Sequence, residues 1–475
     1  MQNNKLISLL QTFSSHDLGR FRKYIISPFF NETQELVQLF DVLRPSFTSN
    51  KKTGGTMDKL EVWNTIFPGR PYDDTRFRRV CSDLLRLAMD FLSYNEFVKS
   101  TGCAQSYLLD AMTGTTLTKH FDSTVRQMEK SLESAGYKDA DYHYFTYYLN
   151  RKQQEQQEHN SNKMALFEHL KQSSYHLDCY YLSKKLEQYT DSLGYKDMLA
   201  DAVEIQLLPG LLEYVKNSTY LKEPSVKAWY LIILMRLNPE KEDYFFHLKK
   251  LVENEGACFK TKELHTFFIH LMNYCIYTKI NKDRADYYLE LFSLYKIALA
   301  NEIIFTNGHL NPHHYKNIIT ISLRLNKFDW VENFIEKYTH LLPESDKDNA
   351  YNYNLANVYF SKKEYFKVIE QLREVEYQNI TYALGSKLLL LRTYFELKED
   401  TALYSLMDSF RIYLRRNREI TAAVKQQYMN TLRFTKNIAN IAPYDEKAKT
   451  KIIDKINNCK SLVLKDWLLE KVSEI

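Results

Sequence analysis

The residues with which this chain could do chemistry are thirteen histidines, six cysteines and a few clusters of carboxylates and arginines. Their spacing decides what that chemistry could be. His309 and His313 stand four apart, the spacing of two metal ligands on one helical face, but Pro312 lies between them. Proline suits the first position of a helix, so Asn311 reads as the cap, Pro312 as the first helical residue and His314 as exposed. His169 and His176 are two turns apart, with no thiol or carboxylate beside both. Asp73 and Asp74 fall where a helix should begin, and there they favour the macrodipole rather than acid–base work. Cys81, Cys103, Cys179, Cys258, Cys275 and Cys459 are scattered and none forms a CxxC pair; they read as reduced thiols packed as small hydrophobes. GxxxxGK[ST], HExxH and GxSxG are all missing, and glycine is too scarce for a turn that cradles phosphate. The reading is therefore of a protein that is not an enzyme, with no metal and no cofactor.

One basic cluster is dense. Arg70, Arg76, Arg78 and Arg79 fall within ten residues, and Arg86 follows. At helical spacing Arg76, Arg79, Asp83, Arg86 and Asp90 share the side opposite Phe77, Val80, Leu84, Leu87 and Phe91. Such a helix could meet phosphates through Arg76, Arg79 and Arg86. The plainer expectation is a solvated face with Arg79–Asp83 and Arg86–Asp90 pairs four residues apart.

The elements that must position these side chains are helices. Only 12 Gly and 10 Pro occur in 475 residues, against roughly 12 per cent for the two together in ordinary chains. So few punctuators argue for long helices joined by short turns. The net charge is +5, without the basic excess of a dedicated nucleic-acid binder. The opening MQNNKLISLLQTF is too short an apolar run for export, and no stretch approaches the roughly 18 apolar residues of a membrane span. The expectation is a cytoplasmic protein with no membrane contact. The 36 Tyr and 27 Phe suit an array in which most rings lie near a surface with their hydroxyls wet.

In chain order, residues 1–96 read as an N-terminal helical module. Ser14 or Ser15 caps a helix through Leu18, Phe21 and Ile25, Asn31 caps a second ending at Pro45, and Thr56 opens a short third. FPGRPYDD then turns into the long arginine-bearing helix. This order resembles a winged-helix module ahead of a helical-repeat region, as in some bacterial regulators, although no strand pair follows Phe91 to make the wing. Residues 97–305 read as degenerate helical repeats, with Gly102, Gly114, Gly136 and Gly194 as stops and a stripe through Leu170, Leu177, Tyr181 and Leu186. A helix is expected near Met198–Leu207. Asn150 to Lys163 carries no apolar residue and is either a solvated helix or a joining loop. Residues 416–475 are C-terminal capping helices, the last carrying Ile453, Ile456, Val463, Trp467 and Leu468. Trp467 would cover the open face of the final repeat.

Residues 306–415 say most. Ile318, Ile319 and Ser322 are followed by Phe328, Val331, Ile335 and Tyr338. Leu355, Ala356 and Tyr359 are followed by Tyr365, Val368, Leu372 and Val375, and Leu390, Leu391 and Tyr394 by Asp400, Leu403, Met407 and Phe410. The copies stand 37 and 35 residues apart, close to the period of a tetratricopeptide repeat. Leu355-Ala356-xx-Tyr359 with Tyr365, Val368 and Leu372 resembles that repeat. More widely, KYIISPFFN, IFPGRPYDD, AYNYNLANVYF and SFRIYLRRN resemble a family of bacterial helical-repeat proteins that carries no activity to transfer. The fold class expected is all-α, a helical module followed by a tetratricopeptide-like α-solenoid of antiparallel helix pairs. The resemblance implies a scaffold or adaptor that binds a protein or peptide partner on a concave face. The positions it implies are Lys316 and Thr320, then Tyr353, Asn357 and Phe360, then Leu388, Arg392 and Phe395. Lys316, Asn357 and Arg392 match part of a carboxylate clamp, and Thr320, Tyr353 and Leu388 depart from it. The alternative function is a DNA-binding regulator whose arginine helix contacts nucleic acid while the repeats sense or assemble.

Overall fold

The computed structural model describes residues 4–48, 58–100, 102–157, 163–198, 206–344, 347–375, 380–442 and 444–474. Helix of all types accounts for 79% of the described residues. Strand, among the described residues, is confined to two residue pairs, Phe305–Thr306 against His309–Leu310. The chain divides into two compact units, Met1–Tyr230 and Leu231–Ile475.

The first unit opens with α1 (Lys5–Leu10), α2 (Ser15–Ile26), α3 (Gln34–Leu43), α4 (Pro45–Thr48), α5 (Lys59–Ile66) and α6 (Asp74–Lys99). Ser14 closes a full capping box with Asp17 at the start of α2, satisfying two backbone donors at once. Asn31 does not cap α3. Thr33 holds that position without a side-chain bond, while Asn31 braces the loop by accepting from the Thr33 amide and donating to the Ile25 carbonyl. Asp58 caps α5, and Thr56 lies outside the described residues. The FPGRP turn is tied by the Trp63 indole donating to the Arg70 carbonyl at 3.0 Å, and Asp73 caps α6. One buried cluster, from Leu6 to Phe91, unites α1, α2, α3, α5 and α6. Because α6 stays helical to Lys99, no strand pair follows Phe91.

Next come α7 (Cys103–Met112), α8 (Thr118–Ala135), α9 (Ala140–Gln156), α10 (Lys163–Met198) and α11 (Leu211–Asn217), and α12 (Pro224–Leu237) spans the unit boundary in sequence. Two expectations fail here. Gly194 is not a stop but lies inside α10. Of the expected stripe on α10 only Leu186 is buried, on a face with Cys179, Leu182, Tyr189 and Leu193, while Leu170, Leu177 and Tyr181 are exposed. Two interleaved apolar stripes run along that helix, and only contact with α9 selects between them. The polar stretch after Asn150 is helical through Gln156, and most of the helix expected near Met198–Leu207 lies outside the described residues.

A polar knot crosses this packing. His143 of α9 is fully buried, with its Nδ1 2.9 Å from Nδ1 of His176 on α10, so one ring donates and the other accepts. Its Nε2 faces the Glu223 carboxylate at 3.6 Å, and the Tyr175 hydroxyl donates to the same carboxylate at 2.6 Å. Burial first, then the neighbouring His176 and Lys138, pushes the His143 pKa from 6.5 down to about 3. Between those values the unfolded chain holds a proton that the folded chain refuses. Stability should therefore be complete above about pH 6.5 and fall as pH drops, at up to about 1.4 kcal/mol per pH unit. Denaturant melts from about pH 7.5 to 5 should show that slope, and His143→Gln should flatten it.

The second unit continues with α13 (Asp243–Glu255), α14 (Thr261–Asn273), α15 (Tyr287–Ala300), α16 (Pro312–Arg324), α17 (Phe328–Tyr338), α18 (Lys347–Ser361), α19 (Tyr365–Arg373), α20 (Ile380–Leu397), α21 (Asp400–Arg416), α22 (Ala422–Ala439), α23 (Glu446–Asn457) and α24 (Lys465–Glu474). Each helix from α13 to α24 packs on a sequence neighbour, and α16 also packs on α18 and α18 on α20. The spacing read in sequence returns in the backbone. Asn326, Lys363 and Lys398 all take a left-handed φ between 52° and 64°, at the turns that follow α16, α18 and α20. At each, the next amide reaches back to a repeat position: Lys327 to Ser322, Glu364 to Tyr359 and Glu399 to Tyr394. This is the Schellman closure of a helix end, made three times without glycine. A side chain at left-handed φ costs about 1 kcal/mol or more, so Lys363→Gly should stabilise the unit by about 1 kcal/mol in a urea melt. The last helix expected from sequence is two helices, α23 and α24, separated at Leu464, which also takes a positive φ of 58°.

Candidate functional site

The first helix of each repeat-like pair presents one row of side chains to a common recess. Residues four apart on a helix share a face, which places Lys316 with Thr320 on α16 and Tyr353 with Asn357 on α18. With Phe360 and Arg392 they line a cavity of about 500 Å³. Six of the eight positions expected from sequence thus meet in one place. The other two do not line it: Leu388 packs into the apolar cluster beneath α20 and α21, and Phe395 lies against Trp467 with ring centroids 5.3 Å apart.

The interior side of these helices is closed by packing. Ala356 has no exposure at all, and Val368, Leu372 and Val375 surround it. Leu355 and Tyr359 are half-buried rather than enclosed. Gly385 of α20 has a specific reason to be glycine: a Cβ there would meet the Tyr353 hydroxyl at 2.7 Å and its ring carbon at 2.8 Å. The bare backbone lets Tyr353 lie down along α20 at the cavity wall. Gly385→Ala should therefore displace that ring despite its better helix propensity, costing about 1–3 kcal/mol by overpacking, as read in a thermal melt.

Arg392 carries the electrostatics. Its guanidinium lies 4.1 Å from the Phe360 ring centroid and 5.8 Å from that of Trp467. Its Nε is buried with no hydrogen-bond partner, and among the described residues no carboxylate pairs with it. Burial lowers its pKa from the ordinary value, more than Glu396 and Glu470 raise it. Asn357 turns its amide back to the Tyr353 carbonyl at 2.8 Å, leaving its Oδ1 free of any bond in the described structure.

Sequence reasoning missed one wall. Trp467, taken as a cap over the final repeat, is buried among Phe434, Ile438, Ile456, Leu468 and Val472 and at the same time lines the cavity with Leu464, Lys465, Asp466 and Glu470. Helix α24 is fastened there by the Trp467 indole donating to Glu396 at 3.2 Å and by Lys471 at 2.9 Å from the same carboxylate. The only signal in sequence was a lone tryptophan near the end, which carries no direction.

The three arginines expected to meet phosphate differ in their surroundings. Arg76 pairs with Glu35 at 3.3 Å and stacks 4.5 Å from the Phe67 centroid. Arg86 reaches Asp83 at 3.6 Å, three residues away, rather than Asp90. Arg79 is exposed and makes no pair with Asp83. A gel-shift titration over a salt series, with all three changed to Ala, tests the nucleic-acid reading: a band that weakens steeply with salt and is lost in the triple variant would support it, and no such band would remove it. His314 is not exposed as expected. It is half-buried beside Tyr295, its pKa lowered by burial to about 4, where α16 packs on α15. All six cysteines are free. Among the described residues no helix is long and apolar enough to cross a membrane. Set against protein-family models, curated proteins and solved structures, the chain matches none of them.

Proposed function

We propose that the second unit is a non-enzymatic scaffold or adaptor, its helix pairs stacked as a tetratricopeptide-like array that holds a segment of a protein partner against α16, α18 and α20. One observation carries this reading. Lys316, Tyr353, Asn357, Phe360 and Arg392 come from three successive first helices and line one cavity, with a buried guanidinium nitrogen in it that has no partner. The contacts of α16 with α18 and of α18 with α20, and the three equivalent Schellman turns, support a stacked array. Aromatic rings beside an arginine are the residues that most often dominate binding at protein interfaces.

The test is an affinity pulldown with wild type and the Asn357→Ala/Arg392→Ala double variant, read by mass spectrometry. Binders lost from a variant that is still folded by circular dichroism support the groove. An unchanged set of binders places the interaction elsewhere. Asn357→Ala should cost stability only about half a kcal/mol, as at half-exposed positions. Arg392→Ala should cost more, because the guanidinium covers the Phe360 ring.

A further inference from the structure

We infer that the recess lined by α16, α18, α20 and α24 is a site for a compact organic anion, with the Arg392 guanidinium as its anchor. The inference rests on reading this face as a binding surface, and it names a ligand chemistry that the reading leaves open. Four observations converge on it. The Arg392 guanidinium lies over the Phe360 ring at 4.1 Å and 5.8 Å from the Trp467 centroid, and its Nε is buried without a partner. A buried donor left unmade is costly unless something completes it, and for a guanidinium the fitting complement is a carboxylate or phosphate oxygen pair. The rim adds Lys316, Arg324 and Lys465, against Asp466 and Glu470 alone on the acidic side, so the recess favours negative charge. The acids are partly engaged already, since Glu470 lies 3.3 Å from the Lys471 ammonium.

Helix α24 contributes Trp467 and Glu470 to the lining beside the rows from α16 and α18, and Leu468 and Val472 anchor that helix with no exposure. A cavity of about 500 Å³ is in the range that encloses a small ligand. Ile319, Leu323, Phe360 and Trp467 supply apolar and aromatic walls for its body. The ligand that fits is therefore an oxyanion on an apolar or aromatic body. Its source is either a free small molecule or the terminus of a chain inserted end-on.

Both sources can be separated with defined probes, using the full chain. Indole-3-acetate and phenyl phosphate represent the free anion, indole-3-acetamide the neutral isostere, and a short aromatic peptide with a free or an amidated end represents the chain terminus. Binding is read by calorimetry and by the fluorescence of Trp467, with Trp467→Phe locating the signal. At least one anionic probe should bind and perturb Trp467, its neutral counterpart should bind at least about ten-fold more weakly, and Arg392→Gln should lose about the same factor. Arg392→Lys should recover part of the charge effect, and Arg433→Gln, outside the recess, should change nothing. Preference for the free-ended peptide assigns a chain terminus; preference for the small anions assigns a free ligand. Equal binding of charged and neutral probes, equal binding by wild type and Arg392→Gln, or no binding of any probe at millimolar concentration overturns the inference. None of these readouts uses a protein partner, so a failed pulldown and a failed anion titration remain distinct results. If Arg392→Gln does not fold, the charged-against-neutral comparison on wild type still decides.

Discussion

Phe21→Ala is expected to lower the unfolding free energy of the first unit by about 3–5 kcal/mol, the cost of a large aromatic deleted from a close-packed core. Phe21 has no exposure. It meets Phe40 edge-on at 5.0 Å, Phe13 edge-on at 5.7 Å and Phe91 at 5.3 Å. Those rings come from α3, the turn after α1, and α6, so one side chain joins the elements on which the module depends. Edge-to-face pairs add energy beyond the buried area, and two of them are lost together with the tilted contact to Phe91. The neighbours cannot collapse into the void, because Leu18, Ile25 and Leu84 around it are already fully buried. A urea melt followed by circular dichroism measures the loss. Phe21→Leu should cost much less, since it keeps most of the volume. A cost under about 1 kcal/mol for Phe21→Ala would mean that the cluster is not packed as described.

Lys471→Met should destabilise the second unit by about 3 kcal/mol, chiefly by stranding Glu396. The Lys471 side chain is only 8% exposed, and its ammonium lies 2.9 Å from Glu396, 2.7 Å from Glu474 and 3.3 Å from Glu470. Burial alone would lower the lysine pKa, but the hydrogen bonds to Glu474 and Glu396 outweigh it and the net shift is upward. Glu396 is 17% exposed on its side chain and without the lysine would keep only the Trp467 indole. The other two carboxylates reach water and lose little. Methionine preserves the stem packing, so the charge effect is isolated. Lys471→Met/Glu396→Gln should recover most of the loss, giving a coupling energy in a double-mutant cycle. Hydrogen exchange over Lys465–Glu474 should speed up in the single variant, which would show that this pair holds the wall of the cavity in place. Equal exchange in both proteins would remove α24 from that role.

How much of this could be read beforehand differs by level. Scarce Gly and Pro and a 3.6-residue apolar period are local properties, and they set the helical class and the positions of α6, α8, α12 and α15 through α22 closely. The repeat at 37 and 35 residues was also local, since each copy closes its own turn through its own carbonyl at Ser322, Tyr359 or Tyr394. Cap identity was less legible: Asn31 and Thr33 are both good caps by type, and which of them serves depends on the loop bonds that Asn31 makes to Ile25. On α10, Leu170, Leu177 and Tyr181 have the period of a buried stripe, yet burial went to the stripe that faces α9.

The sequence by itself determined which residues of α16, α18 and α20 share a face, because helical geometry is the same wherever the helix lies. It did not determine what would stand opposite them. That needed the reversal of the chain at Leu464 and the anchoring of α24 on α22 and α23, which set Trp467 seventy-one residues away from its partner Glu396 in sequence and 3.2 Å from it in space. Only the tertiary structure turned a row of polar and aromatic positions into one recess lined by an arginine whose buried Nε has no hydrogen-bond partner. The physical reason is that desolvation and charge pairing depend on every element around a group, whereas periodicity depends only on the element that carries it.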